Sequence, residues 1–116
     1  PRAAGRRLMD ILCNYAGYRK CVPILVFDAY RVKGAGREQE TWHNLHVIYT
    51  REAETADMFI ERATHELAKN HRVRVVSSDG AEQIIILGNG ALRVSARAFE
   101  REVRAVEAEI REFLDQ

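Results

Sequence analysis

Short apolar runs that alternate with amphipathic segments constrain the fold of this sequence most strongly. Residues 23–27 (PILVF) form a continuous apolar run that stops at Asp28, and residues 45–49 and 72–76 also have the composition of strands. An apolar run without polar alternation is typical of a strand that is covered on both faces. The sequence therefore predicts an α/β domain in which helices cover a mainly parallel central sheet.

Three segments carry the periodicity of amphipathic helices. The first, residues 3–18, places Leu8, Ile11, Leu12 and Tyr15 on one stripe. Thr55 and Ser95 are suitable N-caps for the other two, because a hydroxyl oxygen can accept a hydrogen bond from an N–H group of the first turn. The stripes of these two helices consist of Ala56, Phe59, Ile60, Ala63 and Leu67, and of Ala96, Phe99, Val103, Val106, Ile110 and Phe113.

The remaining segments are less regular. Residues 29–44 contain two glycines and no helical stripe, which indicates a long mobile loop. Residues 84–87 (IIIL) fit either a strand or a short helix, and a short strand is expected around residues 92–94.

Composition indicates an ordinary globular protein, with residues 1–116 forming one domain. Hydrophobic residues make up 47% and charged residues 30% of the chain, which excludes a disordered or collagen-like protein. We expect a cytoplasmic protein without a membrane partner, because no apolar run approaches the roughly 20 residues that span a bilayer and no signal-like start is visible. Cys13 and Cys21 lack metal-binding or redox spacing and are expected to be free thiols.

Three acidic residues are placed where an α/β sheet forms its ligand crevice. Asp28 and Asp79 follow predicted strands, and Asp57 lies in the first turn of the helix that Thr55 caps. Strand ends and helix N-termini converge at one edge of such a sheet. Because clustered carboxylates repel one another, a divalent cation such as Mg²⁺ or Mn²⁺ would stabilise them and could support phosphodiester hydrolysis. Taken singly, Asp57 also fits an ordinary first-turn acid and Asp79 an ordinary turn former.

Four strings of the sequence resemble one family. They are VFDAYRVKG at 26–34, VIYTREAETADMFIE at 47–61, SSDGAEQ at 77–83 and GNGALRVSARAFEREV at 88–103. In this order and over nearly the whole chain, they closely resemble the YacP-like NYN ribonucleases.

That resemblance implies a PIN-like three-layer sandwich that carries a Mg²⁺-dependent endoribonuclease site. The substrate would be single-stranded RNA, and relatives in bacteria are linked to messenger RNA cleavage, in at least one case on the ribosome. By resemblance, Asp28, Asp57 and Asp79 are the catalytic metal ligands. The neighbours expected to support this site are Glu54, Thr55, Ser78 and Glu82.

The family pattern opens with a central strand that ends in an Asp-Gly-Tyr-Asn-like motif, and this motif is absent here. We therefore expect a domain that lacks its first strand. Its sheet would expose two unpaired strand edges, which favours a homodimer, a strand-swapped assembly or a disturbed, inactive site.

Basic and aromatic residues near the Asp28 strand end, together with Arg93 beside the final capped helix, are candidates for RNA contact. Arginine and lysine can hold phosphates, and an aromatic ring can stack on an unpaired base. Solvated surface charge is the alternative for each basic residue, and Trp42 fits a core position better than a binding role. The candidates are Tyr30, Arg31, Lys33, Arg37 and Arg93.

Two other functions compete with cleavage. A non-catalytic RNA- or ribosome-binding module of the same fold fits the missing first-strand acid. A phosphoacceptor or nucleotide-binding domain with Asp28 as acceptor would need a lysine at a late strand end or a glycine-rich phosphate loop, and GAG at 34–36 does not join a strand to a helix. The histidines, which show no paired metal spacing, are assigned no catalytic role.

Overall fold

The computed structural model describes residues 3–28, 39–51, 54–77, 82–88 and 93–116. Three helices and six strands lie within these ranges. In chain order they are α1 (Ala3–Arg19), β1 (Val22–Phe27), β2 (Gln39–Trp42), β3 (Leu45–Tyr49), α2 (Ala56–Leu67), β4 (Val73–Ser77), β5 (Glu82–Leu87), β6 (Arg93–Ser95) and α3 (Ala96–Leu114). The three predicted helices and the strands expected around residues 23–27, 45–49, 72–76 and 92–94 are all present.

Both predicted helix caps are formed. The Thr55 side chain accepts a hydrogen bond from the Met58 N–H at 3.2 Å, and the Ser95 side chain accepts one from the Ala98 N–H at 3.1 Å. Each bond satisfies an N–H group that has no partner within its helix. The caps therefore set where α2 and α3 begin.

The described strands form a sheet in the order β2-β3-β1-β5-β4-β6. Strand β1 pairs in parallel with β3, and β4 with β6, while β5 is antiparallel to both β1 and β4. Strands β1, β3, β4 and β6 consequently run in one direction, and β5 and β2 run in the other. The fold is mixed α/β. Most strands of its sheet run in the same direction, but the sheet is not strictly parallel.

Strand β5 occupies the position at which an unpaired gap was expected. It pairs along its whole length with β1, from Val22 opposite Leu87 to Phe27 opposite Glu82, and it also pairs with β4. Residues 84–87, for which the sequence leaves a strand or a short helix open, are thus part of a central strand. Within the described sheet, a strand of the same chain joins β1 to β4, and no second copy is needed to pair them.

Two cores lie on opposite faces of the sheet. Helix α2 packs on one face, and the buried residues there are Val26, Ala56, Ile60, Val75 and Ile85. Helices α1 and α3 pack on the other face over the larger core, which includes Met9, Leu12, Tyr15, Leu25, Val47, Ile84, Ile86, Phe99, Val103 and Val106. The three-layer arrangement expected from the sequence is present.

A polar network joins α1, β4 and α3 at the border of the larger core. The Tyr15 hydroxyl donates to Glu102 Oε2 at 2.5 Å, and the Arg74 guanidinium donates to the same oxygen at 2.7 Å. Partial burial would raise the pKa of Glu102, but the bonds from Tyr15 and Arg74 and the Arg74 charge outweigh it and hold that pKa below 4.5. Burial and the bond to Glu102 raise the pKa of Tyr15.

Two expectations from the sequence were wrong. Residues 39–42 were assigned to a long loop, but they form edge strand β2, which pairs with β3. The polar alternation of QETW suits an edge strand with one open face, and this signal was overlooked. Phe113 was assigned to the apolar stripe of the last helix, but it is 70% exposed because α3 extends beyond the layer that it covers.

The remaining sequence-based expectations concern the thiols and the tryptophan. Within the described ranges Cys13 and Cys21 are free thiols, and burial raises the pKa of both. Trp42 packs against the larger core, and its Nε1 donates to Asp10 Oδ1 at 3.3 Å, in agreement with the core role favoured from the sequence.

No helix in the described ranges is long and apolar enough to cross a membrane.

Candidate functional site

The candidate site lies at the edge of the sheet where β1, β3, β4 and β6 end, which we call the carboxyl edge. Helices α2 and α3 begin at this edge, since each follows a strand that ends there. Strand β5 begins there as well, because Glu82 is the cross-strand partner of Phe27 at the end of β1. Strand ends and two helix N-termini therefore meet at one edge, which is where open α/β sheets bind ligands.

Asp28 directly follows β1 and is half-buried. Ile24 and Val26 pack in the core that α2 covers, and side chains alternate between the faces of a strand. Alternation places Asp28 on the same face as Val26, about 6–7 Å further along the strand direction. The first of the three predicted acids thus belongs to the α2 face of the carboxyl edge.

Asp57 is exposed in the first turn of α2, two residues beyond its cap. Its Oδ1 accepts a hydrogen bond from Nε2 of Gln83 on β5. Gln83 is the cross-strand partner of Val26, which precedes Asp28 by two residues in the chain. The structure therefore places Asp57 at the carboxyl edge, on the face that α2 covers, and its convergence with the Asp28 carboxylate stays a prediction.

The Asp57 carboxylate lies in the first turn of α2, at the positive end of the helix dipole. Among the described side chains, no cation forms an ion pair with Asp57. Glu54 differs, because the Arg62 guanidinium donates to both of its carboxylate oxygens, at 3.2 and 3.1 Å. Of these two neighbouring acids, Glu54 is paired with a cation of the same chain. Asp57 has no cationic partner among the described side chains and can bind one from outside.

Thr50 lies beside the candidate site. Its side chain is buried, and its backbone N–H donates to the Phe27 carbonyl at 3.0 Å, which ties the end of β3 to the end of β1. This bond fixes the start of the segment that leads from β3 to α2 and carries Glu54 and Thr55.

Several predicted site residues lie outside the described residues or lack a described side chain. Asp79 and Ser78 follow β4 outside the described ranges, and Glu82 is described only as the first residue of β5. The convergence of all three acids stays a prediction. Thr55 has a structural role as the α2 cap, whatever else it does.

The carboxylates that the carboxyl edge presents suit Mg²⁺ or Mn²⁺, which prefer oxygen ligands. Within the described residues, no group of three or more His, Cys, Asp or Glu is arranged to hold a metal ion. Carboxylates such as Asp28 and Asp57 are of the chemical type that such a cation binds, and a ligand set that also includes Asp79 stays a prediction.

Among the proposed RNA-contacting residues, only Arg93 is described. It lies on β6 and forms an ion pair with Glu61 of α2 at 2.7 Å, with 54% of its side chain exposed. Tyr30, Arg31, Lys33 and Arg37 lie outside the described residues.

The sequence reasoning missed Gln83. It lies in the string SSDGAEQ, in which Asp79 and Glu82 are the residues that the sequence assigns to the site. A polar residue directly before three isoleucines was the available signal, since a polar side chain at the start of a buried strand needs a partner.

The fold and the site define an α/β/α sandwich with acidic side chains at the carboxyl edge of its sheet. Residues 2–116 match the model of the YacP-like NYN domain family, and the chain belongs to that family. It is 42% identical over 104 residues to the protein YacP of Bacillus subtilis (strain 168), a match that covers 89% of this chain and 61% of the relative. The crystal structure of Rae1 (YacP) from Bacillus subtilis superposes with a TM-score of 0.70 at 34% identity.

The structural match covers 93% of this chain and 62% of the solved chain. This chain thus spans about three-fifths of the length of both relatives. The resemblance to the YacP-like NYN family stated from the sequence is confirmed.

Proposed function

We propose that the protein is a metal-dependent endoribonuclease that hydrolyses phosphodiester bonds of single-stranded RNA. The observation that carries the proposal is the position of Asp57, a carboxylate without an ion-pair partner among the described side chains, which the Gln83 amide holds at the carboxyl edge where β1 leads into Asp28. Membership of the YacP-like NYN family supports a nuclease acting on RNA. Messenger RNA, including RNA on the ribosome, is the substrate that the family resemblance implies.

In this proposal Asp28, Asp57 and Asp79 hold Mg²⁺ or Mn²⁺. The cation would activate a water molecule and stabilise charge on the phosphate. The α2 cap at Thr55 and the bond from Gln83 hold the Asp57 carboxylate at the edge before RNA arrives. Basic side chains around the site would position the RNA backbone without reading its sequence.

The test uses the full-length protein with a fluorescently labelled single-stranded RNA, in Mg²⁺, in Mn²⁺ and in a chelator. We expect wild-type protein to cut within the RNA only when the metal is present. Asp57→Asn should reduce cleavage by at least about 100-fold while leaving the melting temperature nearly unchanged, because the substitution removes a charge but little volume.

Asp115→Asn is the matched control, because it makes the same chemical change at the other end of α3, about 28 Å from the carboxyl edge for a helix of 19 residues. It should cleave like wild type. If Asp57→Asn also cleaves like wild type, the catalytic role of Asp57 is wrong. If wild-type protein binds RNA but cuts none with either metal, the non-catalytic RNA-binding function replaces this proposal.

A further inference from the structure

Gln83 is a polar residue in an otherwise apolar part of β5. Its exposed fraction is 8%, and Ile84, Ile85 and Ile86 follow it in the strand with exposed fractions of 6% or less. Gln83 and Thr50 are the two buried polar side chains within the described ranges. Burying an amide costs free energy unless it is hydrogen-bonded, so the partner of Gln83 determines what this residue contributes.

The partner is the Asp57 carboxylate on α2. Gln83 is paired with Val26 of β1, and from the next residue, Ile84, strand β5 is also paired with β4, so the backbone that carries Gln83 is held by the β1 ladder and by the doubly paired strand that follows it. Asp57 itself is exposed, and an exposed aspartate without a partner samples several rotamers. The bond therefore orients a carboxylate at the protein surface from the centre of the sheet.

The donor is neutral, which separates this contact from the neighbouring ion pair. Arg62 cancels the charge of Glu54 with a guanidinium, whereas an amide N–H leaves the full negative charge on Asp57. A hydrogen bond to one carboxylate oxygen also leaves the other oxygen able to bind a second partner. Carboxylates that bind metal ions are commonly oriented by such hydrogen bonds from neighbouring groups.

We propose that Gln83 is a positioning residue that orients the Asp57 carboxylate for divalent-cation binding. This inference rests on the proposed function, because it assigns Gln83 a role in the same metal site. It assigns a role to a residue whose observed contact is with the Asp57 carboxylate.

The experiment compares wild type with Gln83→Met, which keeps a similar length and volume but removes the donor. Mn²⁺ affinity is measured on RNA-free protein by electron paramagnetic resonance, and cleavage is measured as a function of Mg²⁺ and of RNA concentration. We expect the Mn²⁺ dissociation constant and the half-saturating Mg²⁺ concentration to rise about 10- to 100-fold, as for other groups that orient metal ligands. The KM for RNA at saturating metal should stay unchanged.

Ile85→Val is the matched control, because it removes one methylene from the same strand and the same face without touching Asp57. It should lower the melting temperature while the Mn²⁺ dissociation constant stays at the wild-type value. A purely structural role for Gln83 predicts instead that metal affinity follows the melting temperature in both variants, and that result would overturn the inference.

The outcomes separate the two proposals. If wild type binds Mn²⁺ and cuts RNA, and Gln83→Met does so at the same metal concentrations, the inference about Gln83 is wrong and the proposed function stands. If wild type neither binds Mn²⁺ nor cuts RNA, both proposals are overturned.

Discussion

At the scale of single residues, acidic side chains that look alike in the sequence have different hydrogen-bond and ion-pair partners in the structure. Glu54 and Asp57 are three residues apart, but one is bound by the Arg62 guanidinium and the other by the Gln83 amide. Glu100 and Glu102 lie on the same helix, yet Glu100 forms an exposed pair with Arg104, whereas Glu102 joins Tyr15 and Arg74 at the core. These partners decide what each acid contributes to stability or binding.

The Glu102 network predicts a pH-dependent contribution to stability. The folded-state pKa of Glu102 lies below its ordinary value of 4.5, so the folded state binds fewer protons than the unfolded state around that pH. The contribution is therefore complete above pH 4.5 and is lost as pH falls through the lower folded-state pKa. Glu102→Gln should reduce the free energy of unfolding at pH 7 by about 1–3 kcal/mol, because it leaves a largely buried Arg74 without its charged acceptor.

Urea denaturation of wild type and variant at pH 7 and at pH 3 measures this difference, which should shrink at the lower pH. Glu100→Gln is the control, because its pair with Arg104 is exposed and should change stability by less than about 0.5 kcal/mol. A loss from Glu102→Gln that is equal at both pH values would contradict the assignment.

At the scale of elements, capped helix starts place the site. Helix α2 begins at Thr55, and this start puts Asp57 in its first turn at the carboxyl edge. The Thr55 hydroxyl accepts the Met58 N–H and so stabilises the start of α2. A further role for Thr55 at the candidate site stays a prediction.

Thr55 variants separate these two roles. Thr55→Ala should lower the free energy of unfolding by about 1 kcal/mol, because the Met58 N–H loses its acceptor. Thr55→Ser keeps the hydroxyl and should retain most of that stability. Chemical denaturation provides the stabilities, and cleavage assays at temperatures well below unfolding provide the activities.

If Thr55 acts only as a cap, Thr55→Ser should cut RNA like wild type, and Thr55→Ala should lose stability without a matching loss of cleavage. A large loss of cleavage in Thr55→Ala at full folding would instead support a direct role for its hydroxyl at the site.

At the scale of the whole molecule, β5 connects the two halves of the sheet. It lies between the parallel pair β1 and β3 and the parallel pair β4 and β6. It also contributes to both cores, because Ile85 faces α2 while Ile84 and Ile86 face α1 and α3. The stability of the domain therefore depends on this strand more than on the edge strands β2 and β6.

Ile85→Ala should lower the free energy of unfolding by about 2–5 kcal/mol, because it opens a cavity at a fully buried site. Amide hydrogen exchange should show the slowest rates in β5, β1 and β4 and faster rates in β2. Val22→Ala is the control, since Val22 is 42% exposed and should change stability by about 0.5 kcal/mol or less. Fast exchange throughout residues 84–86 would contradict a central position for β5.

The sequence by itself determined the local elements and the chemical character of the candidate site. The apolar run before Asp28, the helical stripes and the caps at Thr55 and Ser95 depend on interactions within a few residues, so their signals are present in the linear chain. The same local signals placed Asp28 at a strand end and Asp57 in a first turn. The family resemblance then connected these acids to metal and RNA chemistry.

Only the tertiary structure decided how residues distant in sequence are paired. The periodicity of the IIIL segment does not separate a helix from a strand, and although its β-branched isoleucines favour a strand, its central position depends on hydrogen bonds to β1 and β4, whose residues are distant in the chain. The same reason applies to Gln83, whose role depends on a partner 26 residues earlier. Pairing between residues distant in the chain sets the place of β5 in the sheet, which local sequence patterns do not specify, and this pairing places the Gln83 amide next to the Asp57 carboxylate.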